Sequence, residues 1–191
     1  MVKKAFSELH SQNMPPAFQC GSNRFVISRG NALSRLMLVG EAPGANEEIS
    51  GKPFVGRSGK LLDNLLEIAG IDQEEEIFIC NVLKTRPPKN RKPTQKEIRL
   101  HLPWLLEQIK DVKPLVIVLA GATATYALLG IKTKLTLLRG TWQNWKGIPV
   151  MPIFHPSYLL RNPSKAEGAP IDLTRLDLEE VRKKWTQLNH L

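Results

Sequence analysis

Short blocks of consecutive apolar residues recur along the chain, separated by stretches in which apolar residues fall at helical spacing. Leu36-Met37-Leu38-Val39 predicts a strand at about 35 to 39, and Leu61, Leu62, Leu65 and Leu66 predict a helix over about 58 to 69, ending at Gly70. Glu76 to Val82 reads as a second buried strand with a polar residue, Asn81, near its C-terminal end. Thr94-Gln95-Lys96-Glu97 is a capping box, with threonine at the N-cap and glutamate three residues on. The helix it opens carries Ile98, His101, Leu102, Leu105, Ile109 and Val112 on one stripe, which makes His101 a core residue rather than a ligand. Pro114 to Ala120 is a third strand, closed by Gly121 and a helix from Ala122 to Leu129. Leu135 to Gly140 and Trp142 to Trp145 predict an irregular hairpin around Arg139-Gly140. Val150 to Phe154 is a fourth strand that runs directly into His155. Leu178, Val181, Trp185 and Leu188 predict a final amphipathic helix over 173–188, while residues 1–34 are polar and irregular and are expected to wrap an edge. Strands alternating with helices imply an α/β fold, a parallel sheet with helices on both faces. The 191 residues suit a single domain, 1–191, with a full core.

The stretch between the first strand and its helix breaks this rhythm. Gly40 to Gly59 holds five glycines and two prolines in twenty residues. A loop longer than about 12 residues is usually functional or disordered, and Ile49, Phe54 and Val55 argue against disorder. Gly51-Lys52-Pro53-Phe54-Val55-Gly56-Arg57-Ser58 has the spacing of a phosphate-binding P-loop but carries Arg57 in place of lysine. Pro53 lacks an N–H, and the strand ends eleven residues too early, so a nucleotide triphosphatase is rejected. Ser58 remains a candidate helix cap, at a helix end that could hold a phosphate.

Charge changes the picture next. The net charge is +9, the pI is near 9.7, and such a chain suits a polyanion. Five cations and three prolines fall within Lys84 to Pro93, an extended basic segment fit for backbone phosphates. No apolar run is long enough to span a bilayer and the first twenty residues contain no signal-peptide core, so a cytoplasmic protein without membrane contact is expected. Cys20 and Cys80 are far apart and lack metal-ligand spacing, which predicts reduced thiols.

Glu41, Asn81 and His155 each follow or end a different parallel strand, and ligands of open α/β sheets bind at those C-terminal ends. Phe54 can close over the same place. An amide, an imidazole and an aromatic ring around a carboxylate make a pocket for a flat, polar, uncharged ring.

These residues carry a resemblance. Gly40-Glu41-Ala42-Pro43-Gly44, Pro53-Phe54-Val55-Gly56, Asn81-Val82-Leu83-Lys84 with Arg86-Pro87-Pro88, and His155-Pro156-Ser157-Tyr158-Leu159-Leu160-Arg161 resemble the family 4 uracil-DNA glycosylases, in order, over roughly residues 25 to 188. The resemblance implies a three-layer αβα sandwich around a four-stranded parallel sheet. It also implies a monofunctional enzyme that flips uracil from single- or double-stranded DNA and hydrolyses its N-glycosidic bond, leaving an abasic site in base excision repair. Phe54 would stack on the base, Asn81 would read N3–H and O4, and His155 would donate to O2. Leu159 would fill the gap in the stack. Ser58, Lys84, Arg86, Arg91, Ser157 and Arg161 would contact DNA. A monomer is expected.

Two departures from the family pattern stand out. Ala42 occupies the position at which better-known branches place a water-orienting aspartate, which leaves Glu41 and Glu47 as candidates, with Glu47 equally able to border uracil C5. The family usually carries a [4Fe–4S] cluster on four cysteines, and here Asn13, Pro16, Thr85 and His101 stand at those positions. The expectation is no cluster, no metal and no other cofactor. The competing class is a non-catalytic binder of uracil-containing or damaged DNA.

Overall fold

The structure, a computed structural model, describes residues 24–190. The apolar blocks form the strands β1 (Ser28–Gly30), β2 (Leu36–Gly40), β3 (Phe78–Asn81), β4 (Val116–Ala120), β5 (Gln143–Trp145) and β6 (Ile148–Ile153). The helices are α1 (Ala45–Ser50), α2 (Arg57–Ile68), α3 (Gln95–Val112), α4 (Ala122–Leu129), α5 (Leu135–Leu138), α6 (Pro156–Arg161) and α7 (Pro170–Asn189), with a 3-10 turn at Pro88–Asn90. Strand order is β1-β3-β2-β4-β6-β5. The four inner strands are parallel, as expected. The sheet nevertheless has six strands, because short antiparallel strands cover both edges. β1 lies within the segment expected to be irregular, and the rest of that segment, residues 1–23, lies outside the described residues. At the other edge, residues 135–138 are helical, and the hairpin turns instead at Lys146-Gly147 between β5 and β6.

Side-chain alternation along the strands produces the three layers. Leu36 and Leu38 of β2, with Val116 and Val118 of β4, face Leu62, Leu66, Leu178 and Val181 of α2 and α7. Met37 and Val39, with Ile117 and Leu119, face Leu105, Ile109 and Val112 of α3, and Ala124 and Leu128 of α4. Every residue of β2, β3 and β4 is buried, which is why these strands read as continuous apolar runs rather than alternating ones. The C-terminal helix starts at Pro170, three residues before the expected 173, because proline suits the first helical turn. The Trp185 indole N–H donates to Ser34 O at 3.1 Å and pins α7 to the segment before β2.

The capping box forms as read from the sequence. Thr94 Oγ1 accepts the Glu97 N–H, and Glu97 accepts the Thr94 N–H at 2.7 Å. Glu97 also takes both arms of the Arg91 guanidinium, each at 2.7 Å. The guanidinium is the main cause, with Thr94 adding to it against the opposing effect of burial, that holds the Glu97 carboxyl down to about 2. The folded-state pKa lies below the ordinary 4.5, so this group stabilises the fold fully above 4.5 and loses its contribution as pH falls toward about 2. Urea unfolding of wild type and Glu97→Gln should therefore differ most above about pH 5 and converge below it. A difference independent of pH would contradict this account.

Candidate active site

The four inner strands all end at one edge of the sheet, and the site is built there. Gly40 ends β2 opposite Asn81 at the end of β3, and Ala120 ends β4 opposite Ile153 at the end of β6. A Cβ at Gly40 would lie 2.4 Å from both Asn81 Oδ1 and Phe54 Cζ, so only glycine lets the amide and the ring meet at this strand end. Asn81 is 2% exposed, and its Oδ1 is buried without a hydrogen-bond partner among the described residues. A buried orphan acceptor costs about 1–3 kcal/mol, and this one lies beside an aromatic ring at the sheet edge.

Phe54 is held in a left-handed backbone conformation (φ +55°) that costs a non-glycine residue about 1 kcal/mol or more. The surrounding loop over-determines it. The expected irregular loop contains α1, closed by Gly51 in the left-handed region. From α1, Glu47 accepts the Gly44 N–H on one oxygen and the Val55 and Gly56 N–H groups on the other, at 3.0–3.1 Å. Both oxygens of the buried Glu47 are thus committed to backbone. The carboxylate clamps the two ends of the loop together, which uses the oxygens that a water activator would need. Ser58 does not cap α2 either, since the N-cap is Gly56 and Ser58 lies within the first turn.

His155 is the N-cap of α6. Its Nδ1 accepts the Ser157 N–H at 3.2 Å and lies 2.8 Å from Ser157 Oγ. A backbone N–H can only donate, so Nδ1 is unprotonated and the neutral ring carries its proton on Nε2. Burial pushes the His155 pKa below its usual 6.5, with Arg161 assisting and Glu41 and Glu47 opposing. The ring centroid is 5.9 Å from that of Phe54. Gly121 (φ +98°) brings the start of α4 against His155, where a Cβ would sit 3.0 Å from the histidine Cβ.

Glu41 accepts a short hydrogen bond from Thr123 Oγ1 in the first turn of α4. Glu41, Thr123, His155, Ser157, Tyr158 and Arg161 line one cleft of about 540 Å³, with Lys92 and Lys134 among its other residues. Thr123 escaped the sequence reading. Its signal was the same as for Glu41, a polar group just past a buried strand and its glycine. Ala42 is half-buried and packs against the core formed with α3 and α4.

Two expected DNA contacts, Lys84 and Leu159, are buried instead. Lys84 is 1% exposed, and its Nζ donates to Asn81 O and to Gln108 Oε1, both at 2.5 Å. It braces the strand end from inside and cannot reach a phosphate. Leu159 is fully buried against α2 and α7, whereas Leu160 is 37% exposed, because the turn of α6 directs the second leucine outward. Arg91 is paired with Glu97, and Arg86 with Glu48 and Asn90. Ser157 and Arg161 do lie on the cleft.

A model of the uracil DNA glycosylase superfamily matches residues 27–180, which span every strand and every residue of the cleft. The chain belongs to that superfamily. It is 46% identical over 160 residues to the Type-4 uracil-DNA glycosylase of Thermotoga maritima, covering 83% of this chain and 80% of the relative. Over 175 residues it is 34% identical to the Type-4 enzyme of Archaeoglobus fulgidus, covering 87% of each. A Type-5 uracil-DNA glycosylase of Pyrobaculum aerophilum is 31% identical over 146 residues, 68% of this chain and 64% of the relative. The family resemblance thus rests on similarity over most of the chain as well as on motifs.

The residues described here do not fit the iron–sulfur cluster that the resemblance implies. Asn13, Pro16 and Cys20 lie outside the described residues. Thr85 and His101 are fully buried, and His101 Nδ1 accepts the Lys84 N–H at 3.2 Å. A hydroxyl and an imidazole so engaged are not a pair of thiolates. Cys80 is buried beside Lys84, and burial pushes its thiol pKa up. Among the described residues no group of three or more His, Cys, Asp or Glu could hold a metal ion, and no helix is long and apolar enough to cross a membrane.

The loop clamp yields a direct test. Glu47→Ala would strand three backbone N–H groups and should destabilise the protein by about 1.5–3 kcal/mol, with Glu47→Gln intermediate. Urea unfolding measures both, and an unchanged midpoint for the alanine variant would contradict the clamp.

Proposed function

We propose that this protein is a monofunctional uracil-DNA glycosylase, which flips uracil out of DNA and hydrolyses its N-glycosidic bond to leave an abasic site for base excision repair. The observation that carries the reading is the buried Asn81 Oδ1, without a partner among the described residues, beside the Phe54 ring, which in turn neighbours a neutral histidine. Uracil supplies what that site lacks. Its N3–H donates to Asn81 Oδ1, and its O4 accepts from the Asn81 amide. Cytosine offers the reverse order and would leave the acceptor facing an acceptor. Phe54 stacks on the extruded ring, whose extrusion costs a few kcal/mol.

Negative charge gathers on uracil O2 as the glycosidic bond breaks. His155, neutral and protonated on Nε2, donates to that oxygen and stabilises the departing uracil anion. The Nδ1 bond to Ser157 holds this tautomer in place throughout. With Glu47 committed to backbone, Glu41 is the carboxylate that orients and deprotonates the attacking water, and Thr123 fixes its rotamer. Ala42 leaves that task to its neighbour. Leu160, rather than Leu159, enters the gap in the base stack. Ser157 and Arg161 hold phosphates on one side of the cleft, with Lys92 and Lys134 on the other. The presence of both Glu41 and His155 on the cleft weighs against the non-catalytic binder. The protein acts as a cytoplasmic monomer.

A uracil-containing oligonucleotide treated with the protein and then with alkali should be cleaved at the uracil, and the cytosine counterpart should stay intact. His155→Ala should slow single-turnover excision by about 10²–10³, the usual effect of losing one donor to developing negative charge, with binding to uracil-free DNA hardly changed. Equal loss of binding and rate would make His155 structural.

The reaction runs without an iron–sulfur cluster, because Thr85 and His101 are occupied in buried packing and the Lys84 N–H bond. Protein purified anaerobically should be colourless and iron-free by metal analysis. Stoichiometric iron would overturn this part of the reading.

A further inference from the structure

Beside the catalytic cleft lies a second hollow, of about 310 Å³, for which the proposed reaction has no use. The two share Ala122 and Thr123 in the first turn of α4, so the hollow continues directly from the wall that carries the Glu41 hydrogen bond. Its apolar surface comes from Ile98, Ile131 and the ring of Tyr126. Tyr126 is half-buried, seated on the core on one side and bordering the hollow on the other. Lys132 Nζ stands 5.9 Å from the centre of the tyrosine ring. Among the described residues no carboxylate lines the hollow, and the exposed Lys92 and Lys134 stand at the neighbouring cleft.

An aromatic face with a cation over it, continuous with a nucleotide pocket, has the chemistry that binds nucleobases in single strands. The base takes the ring face from the exposed Lys132, whose ammonium then meets its phosphate. A base that is still paired stays inside the duplex and cannot reach such a surface. We propose that this hollow is a subsite for an unpaired base flanking the extruded uridine, so that the preferred substrate is DNA that is single-stranded or melted beside the uracil. The proposal rests on the uracil-excision reading for its occupant, and its test requires no chemistry.

Fluorescence anisotropy would measure binding of labelled oligonucleotides that carry one tetrahydrofuran abasic analogue in place of uridine, as single strand and as duplex, at fixed salt. Tyr126→Leu, which keeps apolar bulk against the core, should weaken single-strand binding by about ten-fold and duplex binding by less than about two-fold. Tyr126→Phe should bind like wild type, and Lys132→Ala should flatten the salt dependence on single strands. Replacing the base on each side of the analogue with an abasic spacer, one at a time, should reproduce the loss for wild type on one side only. It should cost Tyr126→Leu nothing further. The proposal is overturned if Tyr126→Leu binds single strands like wild type, or loses single strand and duplex equally. It is also overturned if neither spacer weakens wild-type binding, a comparison that holds even if the leucine variant fails to fold. Excision measured in parallel separates the two readings, since inactive wild-type protein with an intact Tyr126 effect would sink only the catalytic one.

Discussion

Asn81 and Phe54 come together over a strand end that has no side chain. A single methyl group at position 40 would occupy the space in which the amide oxygen and the aromatic ring meet, and the parallel register that sets Gly40 opposite Asn81 makes this a property of the whole sheet. The ring reaches that space only through a strained backbone at Phe54, and the strain is held by one carboxylate. Glu47 ties the two ends of the loop together through three N–H groups. A loop rich in glycine and proline is thereby made rigid, as a site that must meet a planar base from a fixed direction requires.

The electrostatics of the pocket follow from which groups are already satisfied. Nδ1 of His155 is engaged by the Ser157 backbone, which leaves a neutral ring with its donor on Nε2. Glu41 is held by a hydroxyl rather than a cation. Lys84, three residues past Asn81, is turned inward, and burial lowers its pKa.

That buried lysine also ties the segment before β1 into the sheet. Lys84 Nζ joins Asn81 O to Gln108 of α3, Gln108 Nε2 reaches Ile27 O at 3.2 Å, and the Val26 N–H donates to Lys84 O at 2.8 Å. The segment before β1 is thus fastened to the end of β3 and to α3 by a chain of buried hydrogen bonds. Satisfied networks of this kind are strong because each member would be costly to leave alone.

The order and type of the long elements were legible in the residues. Buried parallel strands read as unbroken apolar runs, while the capping box at Thr94 opens one helix, Gly70 follows the end of another, and Gly121 marks the passage from a strand to a helix, all by local chemistry alone. The convergence of Glu41, Asn81 and His155 was legible for the same reason, since parallel strands of an α/β sheet end on one edge. What stayed hidden depends on partners distant in the chain. The three-residue edge strands carry too few side chains to show a period. Lys84 and Arg91 both count as charge in a basic segment, yet one is buried by Gln108, twenty-four residues on, and the other is claimed by Glu97. Whether Leu159 or Leu160 faces out is set by the angle at which α6 leaves His155 and packs on α2. Glu47 looks like a candidate base until the loop folds back and gives both its oxygens to the backbone. Local sequence determines which elements form and which groups can do chemistry. Only the tertiary contacts decide which of those groups are used up in holding the structure together.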